Sequence, residues 1–281
     1  MNVVTTRAQV RAARAAYPRL GFVPTMGYLH EGHLSLVRQA KAECGAVAVS
    51  IFVNPLQFAP TEDLASYPRD LERDLALLRE VGCDLVWTPG PDEVYPPGFA
   101  TSVDVRGGVT DVLEGAARPG HFRGVATVVA VLLNAVGADR AYFGQKDAQQ
   151  CVVVRRMVAD LAMPVQVVVG ATVREADGLA MSSRNTYLTP EQRAQAPALY
   201  RALCAVAQRY AAGERDADAL RTAARQVLAS APLGELAYVS VADPTSLAEV
   251  VQVDPAVGAV VSTAVRFGRT RLIDNVVLPP S

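Results

Sequence analysis

Apolar runs and segments of helical periodicity alternate along the first 173 residues. Residues 46–53 form an almost uninterrupted apolar run, which is typical of a strand buried on both faces. Before this run, apolar positions recur at helical spacing from Leu34 to about Cys44, and Gly45 is expected to end that helix. A strand with two buried faces indicates a parallel sheet that is covered by helices.

The alternation continues beyond this strand. Pro68 fits the first turn of a helix whose apolar side chains follow at Leu71, Leu75 and Leu78. The other strands predicted here cover residues 21–24, 84–88, 140–144 and 165–173, and the other helices cover 124–136 and 147–161. This order predicts an α/β fold with a doubly wound, Rossmann-like parallel sheet, which binds ligands outside the carboxyl ends of its strands.

The pattern changes after Val173. A polar loop over 174–185 precedes Ala-rich helical segments over 190–210 and 217–229. Three β-rich runs without long helices between them follow, over 235–241, 256–266 and 271–277, and they predict an antiparallel sheet. We therefore expect two domains, residues 1–173 and a smaller α+β C-terminal domain over residues 174–281.

The composition is that of a folded protein without a strong overall charge. Of the 281 residues, 51% are hydrophobic, and 27 basic and 28 acidic side chains give a net charge of -1. Such a chain has no field that would attract nucleic acid or a membrane, and neither is expected as a partner. Residues 1–17 show no secretory signal and the apolar stretch 125–136 is too short to span a bilayer, so a cytoplasmic location is expected.

The four scattered cysteines are expected to be buried thiols.

Two of the three histidines lie in one short motif, His30-Glu31-Gly32-His33, before a predicted helix. A zinc protease requires His-Glu-x-x-His, and here the second histidine comes one residue too early, so no metal site is predicted. The amino end of a helix offers N–H groups and a positive dipole, which places His33 beside an expected phosphate site. Gly27 and Gly32 would let a ligand approach the backbone. The alternative is a pair of solvent-exposed loop histidines.

A second candidate segment, Gly144-Gln145-Lys146-Asp147, follows the strand predicted over 140–144. It contains one of only two lysines in the chain, the other being Lys41. An ammonium group at this position would neutralise charge on a transferring phosphoryl group. Asp147 would accept ribose hydroxyls or cap the next helix, and both roles are compatible.

The third candidate is Met181-Ser182-Ser183-Arg184 in the polar loop, where two hydroxyls and a guanidinium provide donors for phosphate. No Gly-x-Gly-x-x-Gly follows the first strand and no Walker sequence is present, which argues against a dinucleotide dehydrogenase and a P-loop enzyme. Three such segments at the ligand-binding positions of an α/β sheet indicate one nucleotide site.

These motifs resemble those of a known family. His30-Glu31-Gly32-His33 is similar to the His-x-Gly-His signature of the nucleotidyltransferase superfamily, and residues 181–184 resemble its mobile Lys-Met-Ser-Lys-Ser loop. More specifically, the chain resembles the pantothenate synthetase family, the pantoate:β-alanine ligases, strongly over residues 20–190 and more loosely beyond. The segments that carry this resemblance are Pro24-Thr25-Met26-Gly27, Phe52-Val53-Asn54-Pro55-Leu56-Gln57-Phe58, Tyr67-Pro68-Arg69, Arg118-Pro119-Gly120-His121-Phe122, Phe143-Gly144-Gln145-Lys146-Asp147, Asp177-Gly178-Leu179-Ala180-Met181-Ser182-Ser183-Arg184-Asn185, Tyr238-Val239 and Thr270-Arg271-Leu272-Ile273-Asp274-Asn275.

The resemblance implies an ATP-dependent ligase that works in two steps. Pantoate and ATP would give pantoyl-adenylate and pyrophosphate, and the β-alanine amine would then attack to give pantothenate and AMP. It also implies Mg²⁺, a homodimer, a first domain that binds ATP and pantoate, and a second domain that acts as a lid.

The resemblance also assigns roles to individual residues. Gln57 and Gln150 would bind pantoate, and Gln57 would also border β-alanine. The implied catalytic residues are His30, His33, Lys146 and Arg184. The implied ATP-binding residues are Met26, Gly27, Tyr28, Leu29, His30, Glu31, Gly32, His33, Gly144, Gln145, Lys146, Asp147, Val173, Met181, Ser182, Ser183 and Arg184. Magnesium ligands stay unassigned, because Arg73 interrupts the acidic cluster that family members often carry at 70–74.

Two other functions stay open from the sequence. One is a different His-x-Gly-His nucleotidyltransferase that acts on a phosphorylated acceptor, and the other is a non-catalytic nucleotide sensor. A fragment of an aminoacyl-tRNA synthetase is disfavoured, because the net charge is near zero and no basic domain is present.

Overall fold

The computed structural model describes residues 1–58, 64 and 67–280. It contains two compact units, one made of Met1–Gln145 and Val153–Ala171 and the other of Lys146–Val152 and Thr172–Ser281. The second unit thus includes residues 146–152, which the sequence pattern had placed in the first domain. Within the described residues, no helix has the length and apolar character needed to cross a membrane.

Six strands of the first unit form one parallel sheet. They are β1 (Asn2–Val4), β2 (Gly21–Thr25), β3 (Val47–Ile51), β4 (Leu85–Trp87), β5 (Arg140–Gly144) and β6 (Gln166–Gly170). Their order in the sheet is β1-β4-β3-β2-β5-β6, and every pair of neighbours is parallel. The sheet is flanked by helices α1 (Arg7–Arg14), α2 (Glu31–Cys44), α3 (Leu71–Glu80), α4 (Pro91–Val94), α5 (Leu113–Ala117), α6 (His121–Val136) and α7 (Ala148–Asp160).

Burial explains why β3 reads as a continuous apolar run. Val47 and Val49 belong to one core cluster with α2, while Ala48 and Ser50, on the opposite face, are also buried. Successive strand residues point to opposite faces, so a strand that is covered on both sides has no polar alternation. The doubly wound fold class predicted from the sequence is confirmed.

The strand order places a topological switch between β2 and β5. From β2 the chain passes to β3 on one side, and later strands β5 and β6 lie on the other side. The loops that follow the carboxyl ends of β2 and β5 therefore flank the crevice where open α/β sheets bind ligands. Within the first unit, these loops contain the His30 to His33 motif and the residues Gly144 and Gln145.

Some predicted elements need correction. Pro68 lies before α3, which is capped by the Asp70 carboxylate accepting the Arg73 N–H at 3.1 Å. The strand predicted over 165–173 ends at Gly170, so Val173 is outside it. Strand β1 and helix α1 were not predicted, because residues 1–17 carry several arginines and a weak apolar pattern.

The second unit contains an antiparallel sheet, as predicted. Its strands are β7 (Gly234–Ala242), β8 (Ala259–Phe267) and β9 (Thr270–Leu278), in that order, and its helices are α8 (Pro190–Gln195), α9 (Ala198–Ala211) and α10 (Ala217–Leu228). The helical segment predicted over 190–210 forms two helices, because the chain breaks at Pro197, which lacks the N–H that would continue α8. Leu199 and Leu203 of α9 share a core with Val261 of β8.

Candidate active site

The loop after β2 turns sharply before it enters α2. Gly27 and Tyr28 have φ angles of 80° and 52°, both in the left-handed region. The N–H groups of Tyr28 and Leu29 donate to the carboxylate of Asp74 on α3, each at 2.7 Å. Because Asp74 is almost fully buried, the loop has a fixed anchor beneath it.

His30 and His33 form a paired cap at the start of α2. The Nδ1 of His30 accepts the Gly32 N–H at 3.2 Å, and the Nδ1 of His33 accepts the His30 N–H at 3.3 Å. The ring centroids are 4.2 Å apart. With each Nδ1 acting as an acceptor, the proton of each neutral ring is on Nε2, which is then a hydrogen-bond donor.

Glycine at position 32 also makes room for the His30 ring. A Cβ atom there would lie 2.9 Å from Cε1 and 3.0 Å from Nδ1 of His30. Glu31 forms an ion pair with Arg38 of the same helix, which lowers the pKa of its carboxyl. The carboxylate of Glu31 is therefore engaged on the helix surface.

Gln57 lies in a 3₁₀ turn, Pro55–Gln57, and its side-chain amide is held from two sides. Its Oε1 accepts from Asn54 Nδ2 at 3.0 Å, and its Nε2 lies 3.0 Å from Met26 Sδ. Asn54 is in turn held by the Tyr95 hydroxyl, which donates to Oδ1 at 2.7 Å. Burial raises the pKa of Tyr95, so this donor keeps its proton.

The start of α6 fixes the backbone of the same turn. His121 Nδ1 donates to the Gln57 carbonyl at 2.9 Å, and Arg118 donates to His121 Nε2 at 3.0 Å. A Cβ atom on Gly124 would lie only 2.1 Å from the Leu56 carbonyl oxygen, so glycine allows helix and turn to meet.

The sequence alone gave no role to four residues that support the site, Asn54, Asp74, Tyr95 and His121. The available signal was that His121, the third histidine, lies in a family-like segment.

A cavity of about 630 Å³ lies next to Met26 and Tyr28. It opens at the carboxyl ends of three strands, since its lining includes residues that follow β2, β3 and β4. Its wall is mainly apolar and includes Ile51, Phe52 and Pro55, with Arg69, Asp70 and Asp74 as charged members. The first unit thus combines an apolar cavity, a helix amino end and the fixed amide of Gln57.

Lys146 belongs to the second unit and pairs with its neighbour. Its ammonium lies 3.3 Å from Asp147 Oδ1, and its side chain is mostly buried. Asn275 of β9 donates to the Lys146 carbonyl at 3.0 Å. Asp147 ends the 3₁₀ turn Gln145–Asp147 that follows Gly144, and α7 begins at Ala148, with Gln150 half-buried in its first turn.

The polar segment 174–185 has an ordered frame of its own. Arg174 makes two hydrogen bonds to the Asp274 carboxylate, at 2.6 and 3.0 Å, and stacks on the Tyr200 ring at 4.1 Å. Asn185 donates to Glu175 at 2.7 Å and to the Ala180 carbonyl at 3.1 Å. The base of this segment is therefore held by side chains.

The predicted phosphate-binding residues lie at the end of this frame. Met181 donates its N–H to the Val173 carbonyl at 3.0 Å. The Ser182 hydroxyl accepts the Arg184 N–H at 3.2 Å and caps the short turn Ser183–Tyr187. Arg184 is exposed.

The predicted site residues thus form two groups. In the first unit, the Met26 to His33 loop and Gln57 are in direct contact. In the second unit, Lys146 is held by Asn275 of β9. The adjacent Asp274 holds Arg174, at the base of the segment that contains Met181 to Arg184. Among residues 1–58, 64 and 67–280, no three His, Cys, Asp or Glu side chains are grouped closely enough to hold a metal ion.

The family model of the pantoate-beta-alanine ligases matches residues 2–277. The chain belongs to this family. The pantothenate synthetase of Herpetosiphon aurantiacus is 63% identical over 278 residues, covering 99% of this chain and 100% of that protein. The pantothenate synthetase of Chloroflexus aggregans is 63% identical over 275 residues, covering 98% and 99%.

Solved structures agree with this assignment. Pantothenate synthetase of Thermus thermophilus has a TM-score of 0.93 and 52% identity, and both chains are fully covered. Pantoate-beta-alanine ligase of Francisella tularensis, complexed with beta-gamma ATP and beta-alanine, has a TM-score of 0.80 and 31% identity, again with full coverage. Membership of the pantoate-beta-alanine ligase family confirms the resemblance seen in the motifs and the expectation of a ligase. The phosphorylated-acceptor and sensor functions are not favoured.

Proposed function

We propose that this chain condenses pantoate with β-alanine at the expense of ATP, through a pantoyl-adenylate, and releases pyrophosphate and AMP. The observation that carries the proposal is the paired cap of His30 and His33 at the switch point of the sheet, in a chain that matches the ligase family over residues 2–277. The Francisella tularensis relative, which was solved with beta-gamma ATP and beta-alanine, supports the choice of substrates.

The nucleotide phosphates would lie at the amino end of α2. Backbone N–H groups and the helix dipole favour negative charge at this end. The Nε2 groups of His30 and His33 add two donors, and Lys146 and Arg184 would neutralise charge that develops on the α-phosphate and pyrophosphate. The remaining proposed ATP contacts are Met26 to Glu31, Gly32, Gly144, Gln145, Asp147, Val173 and Met181 to Ser183.

Pantoate would be held by amide groups beside an apolar wall. The amide of Gln57 is fixed by Asn54 and lies beside Met26, so it is preorganised to bind a hydroxyl or a carboxylate. Gln150 is proposed as the second amide ligand, and Gln57 also as a neighbour of β-alanine. Orienting the pantoate carboxylate for direct attack on the α-phosphorus is the main catalytic task, since no covalent intermediate with the protein is required.

The domain roles and the assembly are part of the same proposal. Residues 1–173 would bind ATP and pantoate, and residues 174–281 would act as a lid that excludes water from the adenylate. Mg²⁺ would enter with ATP, held mainly by phosphate oxygens and water, because the described residues form no cage of carboxylates for it. We propose a homodimer in the cytoplasm.

Reconstitution tests this function. The purified protein is mixed with ATP, Mg²⁺, pantoate and β-alanine, and the products are analysed by mass spectrometry. Pantothenate, AMP and pyrophosphate in equal amounts are expected, and omission of pantoate should abolish ATP–pyrophosphate exchange. Exchange that responds to a phosphorylated acceptor and not to pantoate, or ATP binding without turnover, would contradict the proposal.

A further inference from the structure

Asp74 is a buried carboxylate whose two oxygens are both used by the loop after β2. Its side chain is 1% exposed, Oδ2 accepts the Tyr28 N–H and Oδ1 accepts the Leu29 N–H, each at 2.7 Å. A carboxylate is unfavourable in the interior unless hydrogen bonds or an opposite charge compensate for lost hydration. Burial raises the pKa of Asp74, and the two backbone donors oppose this rise.

The loop requires an acceptor at this position. Gly27 and Tyr28 are both left-handed, a conformation that is unfavourable for a residue with a side chain such as Tyr28. It directs two consecutive N–H groups toward α3, where they would lack a partner without Asp74. A Cβ atom on Gly27 would lie 3.0 Å from Asp74 Oδ2, so the carboxylate is packed directly against the turn.

The anchored turn leads straight into the paired histidines. His30 follows Leu29, caps α2, and donates its N–H to Nδ1 of His33. A displacement of the turn therefore moves His30 first and the orientation of the His33 ring with it. We propose that Asp74 is a positioning residue for adenylate formation, which fixes the two histidine Nε2 donors through the backbone of Tyr28 and Leu29. This inference rests on the proposed function, because it assigns the histidines to that reaction.

A magnesium ligand is the competing role, since Asp74 ends the acidic segment after Tyr67-Pro68-Arg69. The contacts favour an anchor. Both oxygens already accept short hydrogen bonds, and the guanidinium of Arg73 lies 3.7 Å from Oδ1 and above the Tyr28 ring. A cation beside the carboxylate disfavours a second cation at the same group.

The test compares Asp74→Asn and Asp74→Ala with the matched control Asp84→Asn. Asp84 also accepts a backbone N–H, that of Val47 at 2.8 Å, and pairs with Lys41, but it precedes β4 at the opposite edge of the sheet. The Asn variant keeps the shape of Asp74 and loses one of its two acceptors. We expect its kcat for ATP–pyrophosphate exchange to fall by about 10²-fold, as for a small misplacement of reacting groups. KM for pantoate and the Mg²⁺ requirement should change by less than about threefold.

Hydrogen exchange provides a readout that does not depend on activity. Peptides covering residues 26–33 should exchange slowly in the wild type and faster in both Asp74 variants, while Asp84→Asn leaves them protected. Unchanged kcat, unchanged protection, or activity restored by excess Mg²⁺ would each overturn the inference. If Asp74→Ala does not fold, the wild type still provides a test. Rapid hydrogen exchange of residues 26–33 in the wild type would also overturn the inference that Asp74 anchors this loop. Failure of the wild type to form pantothenate would instead refute the proposed function. The hydrogen-exchange result would then still test whether Asp74 anchors the loop.

Discussion

Lys146 is one of two lysines in the chain, and both pair with an aspartate. Lys146 lies 3.3 Å from Asp147, whereas Lys41 binds Asp84 at 2.7 Å. We predict that Lys146→Ala folds normally but loses at least about 10²-fold in adenylation rate, or roughly 3 kcal/mol, the scale for losing one preorganised electrostatic donor. Lys41→Ala is the control, because it removes an ammonium at the amino edge of the sheet. Pyrophosphate release at the wild-type rate in Lys146→Ala would exclude the lysine from the mechanism.

Gly124 shows how one missing Cβ atom supports the site. An alanine here would place its Cβ 2.1 Å from the Leu56 carbonyl oxygen and 2.8 Å from Cα of Gln57. We predict that Gly124→Ala destabilises the protein by about 1–3 kcal/mol, as overpacking does, and raises KM for pantoate because Gln57 moves. Gly90→Ala is the control, since a Cβ there meets nothing within 4 Å. Thermal denaturation and exchange kinetics give the two readouts, and wild-type values in both would contradict the prediction.

At the scale of elements, β9 carries two adjacent anchors. Asp274 holds Arg174 at the base of the 174–185 segment, and Asn275 holds the Lys146 carbonyl. The third strand of a small sheet thereby orders two segments that were predicted to bind phosphate. This gives a physical role to the 270–275 segment, whose sequence alone indicated only a family resemblance.

The buried pair of Arg174 and Asp274 should contribute strongly to stability. Asp274 is 2% exposed, so Asp274→Ala leaves the guanidinium without its charged partner, and we predict a loss of about 3–5 kcal/mol in the free energy of unfolding. Glu235→Ala breaks the exposed pair with Arg266 in the same sheet and should cost less than about 1 kcal/mol. Urea denaturation measures both values. Similar losses for the two variants would mean that burial does not set the strength of the Arg174 contact.

At the scale of the whole molecule, the order of chemistry is testable with labelled substrate. If the pantoate carboxylate attacks the α-phosphorus directly, one of its oxygens becomes the bridge of the adenylate and leaves with AMP. Pantoate labelled with ¹⁸O in its carboxylate should therefore give AMP that carries one label.

The same mechanism predicts a stall without β-alanine. Enzyme with ATP and pantoate alone should release about one pyrophosphate per active site, because the proposed lid would shield the adenylate from water. Unlabelled AMP, or ADP and phosphate as products, would indicate activation through an acyl phosphate.

The sequence by itself was sufficient for the fold class and the family. Buried parallel strands appear in the sequence as apolar runs, and Gly45 marks the end of α2. Both signals depend only on neighbours along the chain. The same local reasoning did not detect the helix break at Pro197, nor strand β1, whose partner strand β4 is distant along the chain.

The supporting contacts of the site were decided only by the tertiary structure. Asp74 meets Tyr28 and Leu29 across 45 residues or more, His121 meets Gln57 across 64, and Asn275 meets Lys146 across 129. In the sequence, an aspartate that anchors a loop cannot be distinguished from an aspartate that binds a metal. Burial and the direction of its hydrogen bonds separate the two roles, and both appear only when distant segments have packed together.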